Sequence, residues 1–179
     1  MSMLKLVKAT EEQWEEAYDL FYRTLRKLMS EGKGDLFGGM TPEGTKRSVQ
    51  NGNFLYLVYR KGDQLPVAAI SCLKEENYQK YAELLKYTPE ENVLTLNAMS
   101  VRPELWGQGY ARQSLRLCIE ELGKEGFTTI VGTAHPGNSK CFKTLKYANG
   151  GMDVTKTAPF TWTTPKGRVL ERVRFMFHI

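Results

Sequence analysis

A long apolar segment that leads into a glycine-containing turn and then into an amphipathic helix constrains the fold of this chain most. Residues 93–101 are mostly apolar on both faces, which is typical of a strand at the centre of a sheet. The turn that follows carries Gly107 and Gly109. Apolar residues then recur at helical spacing, at Ala111, Leu115, Cys118 and Leu122. The pattern predicts a central strand, a tight turn and a helix that packs on the sheet.

Strand-like and helix-like segments are mixed along the rest of the chain. Residues that favour β-structure predict strands at 3–8, 54–59, 67–71 and 128–134. Apolar spacings of three or four predict helices at about 11–29, 75–87 and 138–147, and Thr41-Pro42 begins a short one. The chain ends in a predicted β-hairpin that turns at residues 164–167. This order predicts an α/β or α+β fold with one mixed central sheet of about seven strands flanked by helices.

Length and hydropathy bound the class of protein. The 179 residues correspond to one domain, residues 1–179, and 41% of them are hydrophobic, which is enough to bury a core. The first residues are too few and too alternating for a signal peptide, and no run reaches the ~18 apolar residues of a membrane span. We therefore expect a cytoplasmic protein without a membrane partner.

Charge and the metal-binding residue types exclude two further kinds of function. The formal net charge is +5, and the basic residues are scattered, which argues against a nucleic-acid partner and favours an anionic ligand. Cys72, Cys118 and Cys141 form no CxxC pair, and neither histidine lies near a cysteine in the sequence. No metal site is therefore expected, and a reducing compartment fits.

The turn at residues 106–111 has the properties of an anion-binding site. The first N–H groups of a helix have no partner within the helix, and the helix dipole adds partial positive charge there. Glycine at 107 and 109 lets the backbone bend and lets a phosphate approach closely. A Walker loop is excluded because Tyr110-Ala111 follows Gly109, and a Rossmann turn is excluded because Arg112 stands where it needs glycine or alanine.

The same segment resembles the acyl-CoA-binding signature of the GNAT acyltransferase superfamily, (Arg/Gln)-x-x-Gly-x-(Gly/Ala), which follows a strand that ends in Val-x-Pro. Val101-Arg102-Pro103 matches the end of that strand, and Gly109 and Ala111 match the signature. Trp106 stands where the family has Arg or Gln.

A second block of residues is also similar to the superfamily. Asn138 begins a predicted helix after the fifth strand, as an asparagine does in the family. The family's tyrosine usually follows seven residues later, where this chain has Leu145, and Tyr147 follows nine residues later. The order of elements over residues 3–178 also resembles that of the family.

The resemblance implies that the chain uses acetyl-CoA, without a metal, to acetylate an amine. In the family the pantetheine arm pairs with the central strand like an added β-strand, and backbone amides of the turn hold the pyrophosphate. Asn138 is equally expected to be a plain helix cap. The cofactor-binding residues implied are Met99, Ser100, Val101, Gly107, Gln108, Gly109, Tyr110, Ala111, Arg112 and Asn138.

Acetyl transfer to an amine needs one group that takes a proton from the amine and another that gives a proton to the thiolate. Tyr147 is the candidate acid, because a phenol with a pKa of ~10 stays protonated at neutral pH, and core packing is its alternative role. The central strand has no carboxylate, and Thr95 stands about where relatives often have glutamate. The candidates for the base are Glu91 at the strand entrance, or water held by Asn97 or Ser100.

The expected partner is a small-molecule or peptide amine acceptor, and a homodimer could form through an exposed C-terminal strand. The alternative to an enzyme is a CoA-binding regulatory or interaction module that has lost catalysis. Trp106 and the missing glutamate favour that alternative.

Overall fold

The structure is a computed structural model that describes residues 3–164 and 166–179. Within these residues the strands are β1 Leu4–Lys8, β2 Phe54–Arg60, β3 Ala68–Leu73, β4 Val93–Val101, β5 Thr129–Ala134, β6 Thr155–Lys156, β7 Phe160–Thr163 and β8 Val169–His178. The α-helices are α1 Trp14–Ser30, α2 Pro42–Arg47, α3 Ala82–Leu85, α4 Tyr110–Lys124 and α5 Ser139–Ala148. In the described part of the chain, no helix is long and apolar enough to span a bilayer.

The strands form a mixed open sheet, as predicted. Their order is β1-β2-β3-β4-β5-β8-β6, and β7 pairs with the first part of β8. β4 and β5 are parallel, whereas the other neighbours are antiparallel. The sequence did not predict β6, because its two exposed residues are too few to show the alternation of apolar and polar side chains that indicates a strand.

β8 is an inner strand. It pairs with β5 on one side and with β6 on the other. The homodimer expected from the sequence depended on an exposed C-terminal strand, and that edge is already occupied within the chain. Of the predicted turn at 164–167, Pro165 lies outside the described residues, and the Gly167 N–H donates to the Thr164 carbonyl at 2.8 Å.

Helices bury apolar side chains against both faces of the sheet. The apolar cluster between α4, α5 and one face of the sheet includes Leu115, Cys118, Leu145, Ile130, Phe175 and Phe177. The apolar cluster between α1 and the other face includes Ala17, Leu20, Phe21, Leu55, Leu57 and Ala98. α2 begins where Thr41-Pro42 predicted, because the Thr41 hydroxyl accepts a hydrogen bond from the Gly44 N–H at 3.0 Å.

Residues 75–87 do not form the continuous helix that their spacing predicts. A 3₁₀ turn at Gln79–Tyr81 and the single turn α3 occupy this segment instead. The Tyr78 hydroxyl donates to the Val93 carbonyl at 2.7 Å, and both Tyr78 and Tyr81 are buried beside β4. This anchor holds the segment in short turns against the beginning of β4, while Tyr87 is exposed.

Candidate functional site

β4 and β5 diverge partway along their length. Their residues pair from Val93 and Thr129 as far as Leu96 and Gly132, although β4 continues to Val101. In the described structure no β4–β5 pair follows. The gap between residues 97–101 and the end of β5 is named the β4–β5 cleft. One edge of the second half of β4 therefore faces an opening in the middle of the sheet.

The main chain of Met99 and Val101 points into the β4–β5 cleft. On the opposite side, the Arg102 N–H donates to the Val67 carbonyl at 2.9 Å, next to β3. Main-chain groups alternate in direction along a paired strand, so those of Ser100 point toward β3 and those of its two neighbours point away. Two of the three strand residues predicted to pair with pantetheine thus present main-chain groups to the cleft.

Trp106 ties the turn to the end of β4. Its indole Nε1–H donates to the Val101 carbonyl at 2.8 Å, which agrees with that carbonyl pointing away from β3. Trp106 occupies the position where the signature has Arg or Gln. Trp106 therefore has a structural role at this position, because its side chain links the turn to the strand.

Both glycines of the turn have a backbone conformation that favours glycine. The φ angles are +82° at Gly107 and +83° at Gly109. Gly109 is the N-cap of α4 and supplies no side-chain hydrogen bond to the first turn of the helix. A Cβ at Gly109 would meet Gln113 Nε2 at 3.6 Å, and one at Gly107 would meet nothing within 4 Å. The space in front of the turn is open, as a pyrophosphate site requires.

The remaining side chains of the turn diverge from one another. Tyr110 is buried, and its hydroxyl accepts a hydrogen bond from Arg60 Nη1 at 3.4 Å. Gln108 Nε2 donates to the Glu104 carbonyl at 3.5 Å. Ala111 is partly buried against the apolar cluster below the turn. Arg112 is exposed and places a positive charge beside the first turn of α4.

Asn138 is the cap of α5. Its Oδ1 accepts a hydrogen bond from the Cys141 N–H at 3.0 Å, and its Nδ2 donates to the Leu36 carbonyl at 3.3 Å. The predicted cap is thus confirmed. Because α5 follows the carboxyl end of β5, Asn138 lies near the rim of the β4–β5 cleft.

Tyr147 lies on the surface, between two arginines of α4. It is 45% exposed, which excludes a fully buried core role. The Arg112 guanidinium lies 5.8 Å from the centre of its ring. Two interactions raise the pKa of Arg116, a hydrogen bond to Glu120 and a weaker one to Tyr147. The Tyr147 hydroxyl therefore faces that cation. The phenol is accessible and has positive charge on two sides.

The candidates for the proton acceptor differ in their position along β4. Glu91 is exposed in the 3₁₀ turn Glu90–Asn92 before the strand, at the end of β4 that is opposite to the cleft. Asn97 is exposed at the register shift of β4, and its Nδ2 donates to Met40 Sδ at 3.2 Å. Ser100 and Thr95 are buried. The structure brings Asn97 to the cleft and leaves Glu91 at the other end of the strand.

Cysteine and metal chemistry have no support at this site. Burial raises the pKa of the Cys141 thiol to about 11, so this side chain is protonated at neutral pH and packs against the core. Among the described residues, no group of three His, Cys, Asp or Glu side chains could hold a metal ion.

A loop that was not predicted from the sequence as part of the site lies between the sheet and α1. Residues 34–40, named the 34–40 loop, touch both the cap of α5 and the register shift of β4. Leu36 accepts from Asn138, and Met40 accepts from Asn97. Three glycines among seven residues, at positions 34, 38 and 39, were the signal that could have marked it.

Comparison with known proteins places this chain in a family. Residues 11–145 match the model of the acetyltransferase (GNAT) family. No curated protein matches the chain in sequence at a significant level.

Solved structures share the fold at low sequence identity. The ribosomal-protein-S18-alanine N-acetyltransferase from Escherichia coli is 16% identical, with 99% of this chain and 94% of that one covered at a TM-score of 0.68. The aminoglycoside acetyltransferase AAC(6')-Ib in complex with coenzyme A is 15% identical, with coverages of 96% and 94% and a TM-score of 0.61. YncA from Salmonella typhimurium, solved with its cofactor acetyl-CoA, is 13% identical, with coverages of 98% and 93% and a TM-score of 0.66.

Proposed function

The chain belongs to the GNAT acetyltransferase family, and from this we propose that it moves the acetyl group of acetyl-CoA directly to an amine acceptor within a ternary complex. One observation carries the proposal: the β4–β5 cleft lies beside a turn with two left-handed glycines. A cleft in the sheet next to a helix N-terminus suits a donor with an amide-containing arm and a pyrophosphate. AAC(6')-Ib binds coenzyme A and YncA binds acetyl-CoA, and both share this fold.

Each part of the donor has a proposed partner. The pyrophosphate would lie against the turn, where N–H groups and the dipole of α4 favour negative charge. The amides of the pantetheine arm would pair with the Met99 carbonyl and with the Val101 N–H in the cleft. The other members of the proposed donor site are Ser100, Gly107, Gln108, Gly109, Tyr110, Ala111, Arg112 and Asn138.

The proposed chemistry uses few side chains. The thioester oxygen gains negative charge during attack, and the Met99 N–H points into the cleft where it can donate to that oxygen. Tyr147 would return a proton to the thiolate. Water held by Asn97 would take the proton of the amine, because Asn97 is exposed at the beginning of the cleft. Glu91 is the alternative base and would need to act from the strand entrance.

Release of coenzyme A thiol distinguishes the enzyme from the alternative CoA-binding module. We expect the protein to release thiol from acetyl-CoA when a panel of polyamines, aminoglycosides, amino acids and peptides is supplied. Calorimetry on the same sample measures acetyl-CoA binding. Tight binding with no release above the protein-free rate for any amine would support the module and contradict the enzyme.

Trp106→Phe is expected to weaken coenzyme A binding about tenfold. The substitution removes the N–H that pairs with the Val101 carbonyl, and a lost partner of this kind costs about 1–3 kcal/mol. The turn then loses its link to β4. Titration calorimetry measures the dissociation constant, and Trp14→Phe on α1 is the matched control. An unchanged constant for Trp106→Phe would mean that the indole is only a packing group.

Tyr147→Phe is expected to lower kcat about tenfold and to leave acetyl-CoA affinity within about twofold. This effect is smaller than the ~10²–10⁴-fold that is usual for a general acid, because the ring is 45% exposed and water can replace the phenol. Steady-state kinetics and calorimetry separate the two quantities. Tyr87→Phe, at a side chain that is 95% exposed, is the control. Equal kcat values for Tyr147→Phe and the parent protein would remove Tyr147 from the mechanism.

A further inference from the structure

Arg172 on β8 is a buried arginine whose guanidinium is only partly satisfied. The residue is 3% exposed. Its Nη1 donates to the carbonyls of Asp35 and Glu171, both at 2.8 Å. Its Nη2 is buried and has no hydrogen-bond partner among the described residues. A guanidinium stays protonated at neutral pH. The Nη2 group is therefore a buried, positively charged donor that has no acceptor.

The carboxylate that acts on the charge of Arg172 belongs to Asp35, and it forms its ion pair with another arginine. Burial lowers the pKa of Arg172, and Arg168 lowers it further, whereas Asp35 raises it. The Asp35 carboxylate pairs with Arg168 at 3.3 Å, and its side chain is 72% exposed. A buried cation is costly unless an anion pairs with it. The surroundings of Arg172 therefore favour one further negative charge.

Arg174 adds a second cation two residues along the same strand. Its guanidinium lies 3.9 Å from the centre of the Phe160 ring on β7. Burial raises the pKa of the Tyr81 phenol beside β4, and the positive charge of Arg174 offsets part of that rise. Within the described part of the chain, neither Arg172 nor Arg174 forms an ion pair. The pair of arginines gives this face of the sheet a positive field.

The unpartnered Nη2 lies under the 34–40 loop and Trp162. A Cβ at Gly38 would lie 3.0 Å from Trp162 Cζ3 and 3.7 Å from Arg172 Nη2. Trp162 is 41% exposed, and Gly39 has a φ of +79°. The cover over Arg172 is thus one glycine-containing loop and one partly exposed ring, both at the surface.

The same loop connects Arg172 to the β4–β5 cleft. Arg172 holds the carbonyl of Asp35, Asn138 holds that of Leu36, and Asn97 holds the sulfur of Met40. Three successive parts of one short loop therefore touch the buried arginine, the rim of the cleft and the register shift of β4. A molecule bound at Arg172 would lie close to the position where the acetyl group is transferred.

We propose that the acceptor is a small amine that also bears a carboxylate, and that Arg172 Nη2 binds this carboxylate while Arg174 strengthens the attraction. The proposal rests on the acetyltransferase function proposed above. Trp162 turns away from Gly38 to admit the carboxylate, which then supplies the anion that the buried guanidinium lacks. The amine of the same molecule points toward Asn97 and the cleft.

Matched acceptors test the proposal. The probes are the L-amino acids, the corresponding amino-acid amides and the corresponding decarboxylated amines, with dipeptides to distinguish a free amino acid from a peptide C-terminus. Two readouts are measured in the presence of coenzyme A or acetyl-CoA: thiol release from acetyl-CoA, and the part of the change in tryptophan fluorescence on binding of each probe that Trp162→Phe removes. We expect acids to be at least about tenfold better than their amides in both kcat/KM and apparent affinity.

Three variants separate carboxylate recognition from support of the loop. Arg172→Gln removes the charge, and Arg172→Lys keeps the charge without the planar fork. Arg168→Gln is the matched control, because Arg168 also anchors the loop, at the Gly34 carbonyl, and leaves Nη2 of Arg172 in place. We expect Arg172→Gln to abolish the preference for acids over amides, Arg172→Lys to keep part of it and Arg168→Gln to keep it. Melting curves establish that each variant is folded, and Arg174→Gln, which should reduce the preference severalfold, replaces Arg172→Gln if that variant does not fold.

The outcomes distinguish this inference from the function on which it rests. Acetylation of amides and amines as fast as of acids would overturn the carboxylate site and leave the acetyltransferase function intact. Fluorescence changes selective for acids, without any thiol release, would support the site and contradict the enzyme. No preference for acids in either readout, or a preference that survives Arg172→Gln, would refute the role of Arg172.

Discussion

Gly109→Asp is expected to raise the dissociation constant for acetyl-CoA about a thousandfold. The φ of +83° at this position costs a residue with a Cβ about 1–2 kcal/mol, and this strain lowers affinity because the unbound turn of the variant relaxes away from the conformation that binding requires. The new carboxylate would also face a pyrophosphate at the N-terminus of α4, where a second negative charge costs about 3 kcal/mol or more. Together these effects correspond to about three powers of ten in affinity. Titration calorimetry with acetyl-CoA measures the loss.

Two controls separate charge from backbone strain. Gly109→Ala adds the Cβ without the charge, and we expect it to retain most of the affinity that Gly109→Asp loses. Gly126→Asp places the same residue at a φ of +96° beyond the other end of α4, with nothing within 4 Å of its Cβ. It should destabilise the fold and leave acetyl-CoA affinity nearly unchanged. If Gly109→Asp bound acetyl-CoA as well as the parent protein does, the pyrophosphate would lie elsewhere.

Gly132→Val is expected to lower the free energy of unfolding by about 4 kcal/mol. Gly132 is opposite Leu96 in the last pair before β4 and β5 diverge. A Cβ there would meet Phe175 Cζ at 2.5 Å and the Leu96 carbonyl oxygen at 3.0 Å. Overpacking alone costs about 1–3 kcal/mol, and a main-chain atom cannot move aside as a side chain can. Denaturant unfolding followed by circular dichroism measures the difference.

The neighbouring position provides the control for this effect. Thr133→Val changes a residue of the same strand that is exposed, so we expect less than about 0.5 kcal/mol. Gly132→Ala, which adds one methyl group, should lie between the two valine variants. A Gly132→Val protein as stable as the parent would mean that the strands can separate further at this point without cost.

Local patterns were sufficient to predict most of the fold. β4 has the predicted bounds, Val93–Val101, because a strand covered on both faces over most of its length is mostly apolar. α5 begins directly after Asn138, as its cap predicts. The prediction of a continuous helix at 75–87 was wrong because the Tyr78 hydroxyl donates to a carbonyl of β4. The spacing of apolar residues does not reveal such a tertiary contact.

The two sides of the candidate site differ in how far the sequence could predict them. The turn at 106–111 is contiguous, and its glycines and helix start are local properties, so their arrangement could be predicted. Arg172 and Asp35 are 137 residues apart in the chain, and no local pattern indicates that they meet. The role of Trp106 could not be predicted either, because it depends on the direction of the Val101 carbonyl on the preceding strand.

With acetyl-CoA bound in the β4–β5 cleft as proposed, the open edge of β4 makes conformational stability depend on the concentration of this donor. Residues 97–101 belong to the interior of the sheet, yet β5 leaves one side of them without a neighbouring strand. A ligand that fills this gap binds only the native state, and at a concentration of 100 times its dissociation constant it stabilises that state by about 2.7 kcal/mol. The melting temperature, and with it resistance to proteolysis, should therefore rise and fall with the supply of acyl donor in the cell.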